Sequence, residues 1–194
     1  IDTKGLAKEI YRSIAENSEE DQLAGMLVRS LLSAGIDTTV SAIGNLLWCL
    51  AENPEQFQLV KNDTSLVGNA VEESLRLTSP VKAFCRTSAT DTEVSGVVIE
   101  EGTKILCVLG SANTDPEVWE NSYKYDVTRR TIGHLALGVG VHNCVGQTLA
   151  RAGITALASS LTELVKVIKP ADKAIWKPNN AMRSLESLPI ILET

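Results

Sequence analysis

The chain has 194 residues and a formal net charge of −6, with acidic and basic side chains scattered along it. This length can bury a sizeable core, and the lack of any basic run argues against a nucleic-acid-binding protein. Four cysteines, at positions 49, 85, 107 and 144, form no CxxC pair, which is consistent with a reducing cytosol. The longest uncharged runs are interrupted by Gly, Asn or His, so the sequence predicts no membrane-spanning segment.

Helical periodicity dominates the first part of the chain and returns after the last cysteine. The predicted helices cover residues 4–16, about 21–52, 54–62, 66–78 and a last segment that starts at Val145. Asn17-Ser18 should end the first helix, and Ser18 to Asp21 should start the long one with acidic residues in its first turn. Asn53 is expected as N-cap of the third helix with Pro54 at its first position, and Ser79-Pro80 should stop the fourth.

Short strands are predicted between residues 81 and 109, where polar and apolar residues alternate. The segments are Phe84–Thr87, Glu93–Ile99 and Lys104–Leu109, with turns at Ser95-Gly96 and Glu101-Gly102. The tail over 181–192 should end in a further strand. Together these elements predict a fold that is mainly α with a small β region.

The long helix carries one stripe of small and polar side chains on an otherwise apolar surface. Its members recur at helical spacing and are Ser30, Ser33, Ala34, Asp37, Thr38 and Ser41. An ordinary exposed face would carry longer charged side chains, so the stripe favours a helix that lines a wet cavity. Asp37 beside Thr38 places an acid next to a hydroxyl, the pairing that proton delivery to a buried site requires.

The segment from Leu137 to Arg151 presents Cys144 in a glycine-rich turn immediately before the last helix. Gly138, Gly140 and Gly146 can adopt positive φ or let another group approach the backbone closely. A thiol at a helix N-terminus faces unpaired N–H groups and the positive end of the helix dipole, and both favour the thiolate. Such a thiolate can be an axial ligand of iron. Taken alone, the cysteine is equally compatible with a buried structural role at a helix cap.

The spacing G-x-G-x-H-x-C-x-G, followed by L-A-R, over residues 138–151 resembles the haem-ligand loop of the cytochrome P-450 superfamily. The resemblance implies that Cys144 ligates the haem iron and that the loop glycines lie against the haem. Leu137 departs from the pattern, because the family usually has phenylalanine at this position.

Ala34-Gly-Ile-Asp-Thr-Thr39 resembles the oxygen-activation motif of the same superfamily. The resemblance implies that Ala34 lies at the haem, that Thr38 steadies dioxygen and its water, and that Asp37 passes protons inward. The motif is weak alone and strong beside the cysteine loop.

Glu73 and Arg76 are three residues apart, so they share a helix face and can pair. An exposed pair at this spacing is common and contributes less than about 1 kcal/mol. The pair resembles the E-x-x-R motif of the superfamily, which with a downstream arginine locks the haem-side core. Arg129 fits the position of that arginine.

Arg86, His134 and His142 match positions at which the superfamily binds the haem propionates. A buried dianionic edge needs cationic or N–H partners. For each residue singly, a surface salt bridge or a core hydrogen bond would explain its presence better, but the resemblance implies propionate contacts for all three.

Together the motifs indicate a haem-thiolate monooxygenase that inserts one atom of O₂ into an organic substrate. The resemblance implies haem b as cofactor, O₂ as co-substrate, and electrons that come ultimately from NAD(P)H through ferredoxin reductase and ferredoxin. The likeness is nearest to soluble bacterial members, which implies a cytoplasmic enzyme.

Three segments, Leu27–Gly35, Ser79–Thr87 and Leu185–Pro189, resemble the bacterial group that O-demethylates para-substituted benzoates such as methoxybenzoate. The resemblance implies hydroxylation or O-demethylation of a small aromatic or hydrophobic acid. The resemblance implies that Ser30, helped by Arg29, meets the substrate carboxylate, and a hydroxyl and a guanidinium are groups that suit an anionic ligand. The residues assigned to the substrate are Arg29, Ser30, Ser33, Val81, Phe84 and Met182.

The family's chains are longer than this one, and all matched motifs lie in its C-terminal half. We therefore expect residues 1–194 to be the C-terminal portion of a single cytochrome P-450 domain whose N-terminal half is absent. The haem would lie between the long helix and the Cys144 loop. As an isolated piece, the chain would expose a large apolar surface along that helix.

Three alternative functions are compatible with the sequence. A peroxygenase uses hydrogen peroxide directly, although it usually lacks an acid–alcohol pair such as Asp37-Thr38. A haem-binding sensor or non-catalytic fragment would keep the Cys144 loop without turnover. Zinc at His142 and Cys144 would need a second pair of ligands, which the sequence does not place nearby.

Overall fold

The computed structural model describes residues 5–14 and 21–194, and helices are the main elements within them. The helices are α1 (Leu6–Ile14), α2 (Asp21–Glu52), α3 (Pro54–Asn62), α4 (Val67–Thr78), α5 (Leu109–Ala112) and α6 (Gln147–Leu164). Short 3-10 turns cover Thr64–Leu66 and Gly140–His142. The long helix ends at Glu52, as predicted. The predicted end of the first helix at Asn17 and the predicted start of the second at Ser18 lie outside the described residues.

Eight short strands form the β region of the described chain. They are β1 (Phe84–Thr87), β2 (Thr92–Val94), β3 (Val97–Ile99), β4 (Lys104–Cys107), β5 (Val167–Pro170), β6 (Ile175–Trp176), β7 (Leu185–Ser187) and β8 (Ile190–Glu193). All pair antiparallel in two-stranded sheets: β1 with β4, β2 with β3, β5 with β8 and β6 with β7. The predicted turn residues Ser95 and Gly96 join β2 to β3 with φ of 51° and 80°. A fold that is mainly α with a small β region is confirmed.

Two predicted element bounds are wrong, and three strands were not predicted. The last of the early strands stops at Cys107, because the chain turns into α5 at Leu109. The helix after the cysteine begins at Gln147 rather than Val145, with Gly146 as its N-cap. Strands β5, β6 and β7 were not predicted, and β5 pairs with the terminal strand that was, from Val167 with Glu193 to Pro170 with Ile190.

Asn53 serves the end of α2 rather than the start of α3. Its Nδ2 donates to the carbonyl of Cys49 at 2.7 Å, and its side chain makes no capping hydrogen bond to α3. The amide therefore satisfies one of the carbonyls left unpaired in the last turn of α2. Pro54 occupies the first position of α3, as predicted.

The chain divides into two compact units, Ile1–Thr39 and Val40–Thr194. The smaller unit contains α1 and the first part of α2, and the larger unit contains all other elements. Four helices and one strand build the core of the larger unit. Its most deeply buried apolar side chains include Leu46, Phe57, Val60, Val71, Ile154 and Ile168.

Helix α2 is long and apolar enough over Leu23–Glu52 to cross a membrane, by length and composition alone. The sequence predicted no such segment, and that prediction is not confirmed. A single helix of this kind is a weak indication of a membrane, since core helices of soluble proteins and signal sequences pass the same test. Three of its apolar side chains, Leu32, Ile36 and Val40, are at least 60% exposed, which agrees with the expected apolar surface along this helix.

Candidate functional site

Two glycines fix the backbone path of the loop that carries Cys144. Gly138 has φ of 73°, and a Cβ there would lie 2.5 Å from the carbonyl oxygen of His142. Gly140 has φ of 61°, which residues with a side chain rarely adopt. The N–H of Cys144 donates to the carbonyl of Leu137 at 2.8 Å and closes the loop. The backbone therefore requires glycine at both positions.

Gly146 differs from the other two loop glycines. Its φ is −86°, so it does not adopt positive φ, which was one of the two roles that the sequence left open for this glycine. A Cβ at this position would lie 4.0 Å from Sγ of Cys144, which is an ordinary contact distance. Backbone geometry therefore does not require glycine here, but the missing side chain leaves space beside the sulfur.

Cys144 is exposed, which is the opposite of a buried structural cysteine. Cys49, in contrast, is fully buried. Burial and the nearby charge of Glu73 raise the pKa of the Cys49 thiol, so it stays protonated and unreactive. Cys85 is exposed as well, but it lies within β1 and not in a glycine-shaped loop. Cys144 thus has both the access and the loop geometry of a ligand.

A half-buried carboxylate on α4 binds residues on both sides of the Cys144 loop. Glu72 accepts two hydrogen bonds from Arg151, from Nε to Oε1 at 2.6 Å and from Nη2 to Oε2 at 3.1 Å. Its Oε2 also lies 2.9 Å from Nε2 of His134. Burial raises the pKa of Glu72, but the hydrogen bonds with His134 and Arg151 outweigh burial and bring the pKa to about 2. The sequence did not predict this cluster, because its one local signal is an acidic residue next to Glu73.

The assignment of His134 to a haem propionate is not supported by its geometry. The N–H of Ala136 donates to Nδ1 of His134 at 3.2 Å, so the ring proton lies on Nε2 and is directed to Glu72. Both ring nitrogens are therefore in use. We remove His134 from the set of candidate haem contacts.

Arg86 and His142 remain as candidate propionate contacts. The Arg86 guanidinium lies 5.4 Å from the ring centroid of Phe84, and its Nη1 donates to the carbonyl of Cys85 at 2.9 Å. Within the described residues no carboxylate forms an ion pair with Arg86. His142 is exposed at the end of its 3-10 turn. Both side chains keep donors that an anionic group can use.

Glu73 and Arg76 form a fully buried ion pair, not a surface pair. Both side chains are 0% exposed, and Arg76 donates to Glu73 through Nε at 2.7 Å and Nη2 at 2.8 Å. Arg129, the predicted downstream partner, donates through Nε to the same carboxylate at 3.0 Å. Nη1 of Arg76 donates to the carbonyls of Asn113 and Ser122 at 2.7 and 2.8 Å. These contacts join α4 to the irregular segment that leads into the cysteine loop.

Two residues assigned to the substrate, Val81 and Met182, lie side by side in the larger unit. An isolated antiparallel bridge pairs them, and backbone hydrogen bonds of 2.7 and 2.8 Å flank it. A third, Phe84, begins β1 with 47% of its surface exposed. The resemblance assigned all three residues to the substrate, and the structure brings Val81 and Met182 together.

The Met182 segment is held by contacts to the second part of α2. Asn45 Nδ2 donates to the carbonyl of Arg183 at 3.0 Å. The Arg183 guanidinium lies 5.0 Å from the ring centroid of Trp176, which in turn packs edge-on against Trp48 with centroids 5.1 Å apart. The hydrogen bond from Asn45 holds the backbone of Arg183, the residue after Met182, and the tryptophan stack holds its side chain.

The candidate proton-handling residues lie on the part of α2 within the smaller unit. The hydroxyl of Thr38 donates to the carbonyl of Ala34 at 2.6 Å, so its proton is committed and its oxygen lone pairs stay available. Arg29, Ser30, Ser33, Ala34 and Asp37 are exposed, whereas Ser41, the last member of the predicted stripe, is buried.

In the part of the chain that the structure describes, no group of three or more His, Cys, Asp or Glu side chains could hold a metal ion. A tetrahedral zinc site at His142 and Cys144 would need such a group. The zinc alternative therefore has no support from the geometry.

Comparison with known proteins relates the chain to one family. The family model described as Cytochrome P450 matches residues 15–192. Cytochrome p450 CYP199A2 of Rhodopseudomonas palustris is 48% identical over 169 residues, which is 87% of this chain and 41% of that protein. Cytochrome P450 107B1 of Saccharopolyspora erythraea is 41% identical over 175 residues, which is 88% of this chain and 43% of that protein.

A solved structure extends the likeness to the fold. Cytochrome P450 CREJ in complex with (4-ethylphenyl) dihydrogen phosphate superposes with a TM-score of 0.91 at 31% sequence identity. The match covers 98% of this chain and 48% of that structure. The chain thus spans less than half the length of each of these three proteins.

Proposed function

The chain belongs to the cytochrome P450 family, and we propose that it is the haem-binding part of a haem-thiolate monooxygenase. The observation that supports this most strongly is Cys144, an exposed thiol in a loop whose Gly138 has no room for a side chain. The proposed reaction consumes O₂, two electrons and two protons, places one oxygen atom in an organic substrate and releases the other as water. When bound, the haem supplies the iron at which O₂ is activated, and a thiolate ligand favours O–O cleavage.

The described residues fit a haem group by their donor chemistry. Cys144 would ligate the iron, while Gly138 and Gly140 keep the loop backbone free of side chains. Arg86 and His142 would bind the propionates. Arg86 has no carboxylate partner among the described residues and would gain a charge-assisted hydrogen bond from a propionate.

We assign proton handling to Asp37 and Thr38. The hydroxyl proton of Thr38 is donated to Ala34, so its oxygen is an acceptor and would hold a water molecule. The exposed carboxyl group of Asp37 can exchange protons with solvent and pass them on. The presence of this pair favours O₂ over hydrogen peroxide as the oxidant. Cleavage of O₂ needs two protons delivered by the protein, whereas hydrogen peroxide already carries two protons.

The electrons would come from NAD(P)H through a ferredoxin reductase and a ferredoxin. This proposal rests on the resemblance to soluble bacterial members of the family, and the same resemblance supports a cytoplasmic enzyme. The haem would be haem b, which is held by its iron ligand and by non-covalent contacts.

For the substrate, we propose a small aromatic acid such as a para-substituted benzoate, which would be O-demethylated or hydroxylated. In the larger unit, Val81, Met182 and Phe84 offer apolar contacts for a ring, and the first two are paired. In the smaller unit, Arg29 and Ser30 offer an exposed guanidinium and hydroxyl, groups that recognise a carboxylate.

The iron ligand is tested with Cys144→Ala and a matched control, Cys85→Ala, in the purified haem-loaded protein. Loss of the thiolate should move the Soret band of the ferric Cys144→Ala protein or abolish haem retention. The Cys85→Ala protein should keep the wild-type spectrum, because its side chain lies in β1 and not in the loop. A Cys144→Ala spectrum identical to the wild type would remove the basis of the assignment.

Turnover separates a monooxygenase from a haem-binding sensor. With ferredoxin, ferredoxin reductase and 4-methoxybenzoate, the wild type should release formaldehyde and 4-hydroxybenzoate. Thr38→Val keeps the shape of the side chain without its oxygen, so O₂ should be consumed with more peroxide and less product. Thr38→Ser should remain closer to the wild type. Equal coupling in Thr38→Val and the wild type would show that Thr38 has no part in proton handling.

A further inference from the structure

Glu72 lies on α4 but contacts the chain before and after the proposed iron ligand. His134 precedes Cys144 by ten residues and Arg151 follows it by seven. Both are bound to one carboxylate, at 2.9 Å for His134 Nε2 and at 2.6 and 3.1 Å for Arg151. The two ends of an eighteen-residue segment (134–151) are thus attached to a single side chain of a core helix.

The geometry of this cluster leaves little freedom to its members. The contact from Arg151 uses two nitrogens on two oxygens, which fixes its direction as well as its distance. Arg151 is also held by Gln147 Oε1, which accepts from Nη1 at 2.6 Å in the first turn of α6. The His134 ring is oriented on its other side by the N–H of Ala136. The start of α6, and with it Cys144, is therefore oriented by α4.

The cluster also pairs the positive charge of Arg151, which follows Cys144 by seven residues, with the negative charge of Glu72. The pKa of Arg151 is raised, first by its hydrogen bonds to Glu72. An unbalanced guanidinium would draw electron density from a nearby thiolate. Glu72 carries the opposite charge and binds the same guanidinium, so it offsets that effect.

We propose that Glu72 is a positioning residue for the iron ligand, which holds Arg151 and His134 on either side of Cys144 and thereby sets the electron density on its sulfur. This inference rests on the proposed function, because it requires haem at Cys144. Hydrogen bonding and charge around an iron ligand are recognised controls of its redox potential.

The test is the midpoint reduction potential of the haem iron in the purified protein, measured with the carbon-monoxide spectrum and the melting temperature. Glu72→Gln removes the negative charge at nearly constant shape, so the potential should shift to more positive values. The share of protein with a thiolate-type carbon-monoxide band should fall. Glu72→Asp keeps the charge and should restore the potential in large part.

Two further variants keep the test decisive if Glu72→Gln does not fold. Arg151→Gln removes the positive charge and should shift the potential in the negative direction. The double variant Glu72→Gln/Arg151→Gln removes both charges and should lie closer to the wild type than either single variant. Glu163→Gln is the matched control, since it removes an exposed carboxylate from the far end of α6 and should leave the potential unchanged.

The outcomes separate this inference from the proposed function. A wild-type protein without a thiolate-type band would overturn both. If the wild type has the band but Glu72→Gln and Arg151→Gln change only the melting temperature, Glu72 is a structural residue and the inference alone is wrong. An equal shift from Glu163→Gln would also overturn it, because the effect would then be one of net charge.

Discussion

Removal of Glu73 tests how far the buried ion pair on α4 stabilises the fold. The carboxylate accepts hydrogen bonds from Arg76 at 2.7 and 2.8 Å, from Arg129 at 3.0 Å and from the N–H of Asp126 at 3.2 Å. In Glu73→Ala, the guanidinium of Arg76 would stay 0% exposed, with two carbonyls as hydrogen-bond partners and the Trp119 ring 5.2 Å away, but with no carboxylate from Glu73. Removing one partner of a buried pair costs about 3–5 kcal/mol. That is a large share of the roughly 5–15 kcal/mol by which a domain is stable.

The assay is reversible unfolding in urea, supported by thermal melting, with Glu163→Ala as control. Glu163 is exposed on α6, so its loss should change the free energy of unfolding by no more than about 0.5 kcal/mol. At this chain length 1 kcal/mol corresponds to roughly 2–4 °C, so Glu73→Ala should melt roughly 6–20 °C below the wild type. A loss below about 1 kcal/mol would refute the reasoning that the buried charge of Arg76 depends on Glu73.

Two other predictions concern the loop and the cluster behind it. Gly138→Ala should lower the free energy of unfolding by about 1–3 kcal/mol, since φ is 73° and the new Cβ would meet the His142 carbonyl at 2.5 Å. Gly153→Ala, in α6 with nothing within 4 Å of a Cβ, should raise it by up to about 1 kcal/mol; equal effects in urea titrations would contradict the loop geometry. The pKa of Glu72 is lowered to about 2 in the folded chain, below about 4.3 in the unfolded chain, so its contribution to stability is complete above about pH 4.3 and is lost as the pH falls towards 2. In Glu72→Gln the free energy of unfolding should therefore depend less on pH across this window. The same pH dependence in Glu72→Gln and the wild type would rule out the lowered pKa of Glu72 as its cause.

Local signals in the sequence predicted the elements they control. Helical periodicity and the Asn53-Pro54 stop placed the end of α2, and Ser95-Gly96 placed the turn between β2 and β3. Periodicity could not show β5, because its partner β8 lies more than twenty residues further along the chain. The partner of the Asn53 amide was likewise ambiguous, since the residue lies between two helices and can serve either one.

The candidate site was predicted as a set of residues but not as a network. The spacing of Glu73 and Arg76 predicted that they share a helix face, yet it gave no sign that both are fully buried. The position of His134 indicated a contact with a haem propionate, whereas Glu72 and Ala136 occupy both of its ring nitrogens. The contact of His134 with Glu72 joins residues 62 positions apart, and only the folded chain brings them together.

The most direct measurement of the central claim is the absorption spectrum of the reduced, carbon-monoxide-bound protein minus that of the reduced protein. Thiolate ligation by Cys144 predicts a Soret band shifted far to the red of the position seen with a histidine-ligated haem. Haem that binds with its carbon-monoxide band at the ordinary position, in a protein whose Cys144 is intact, would contradict the claim that this loop supplies the iron ligand.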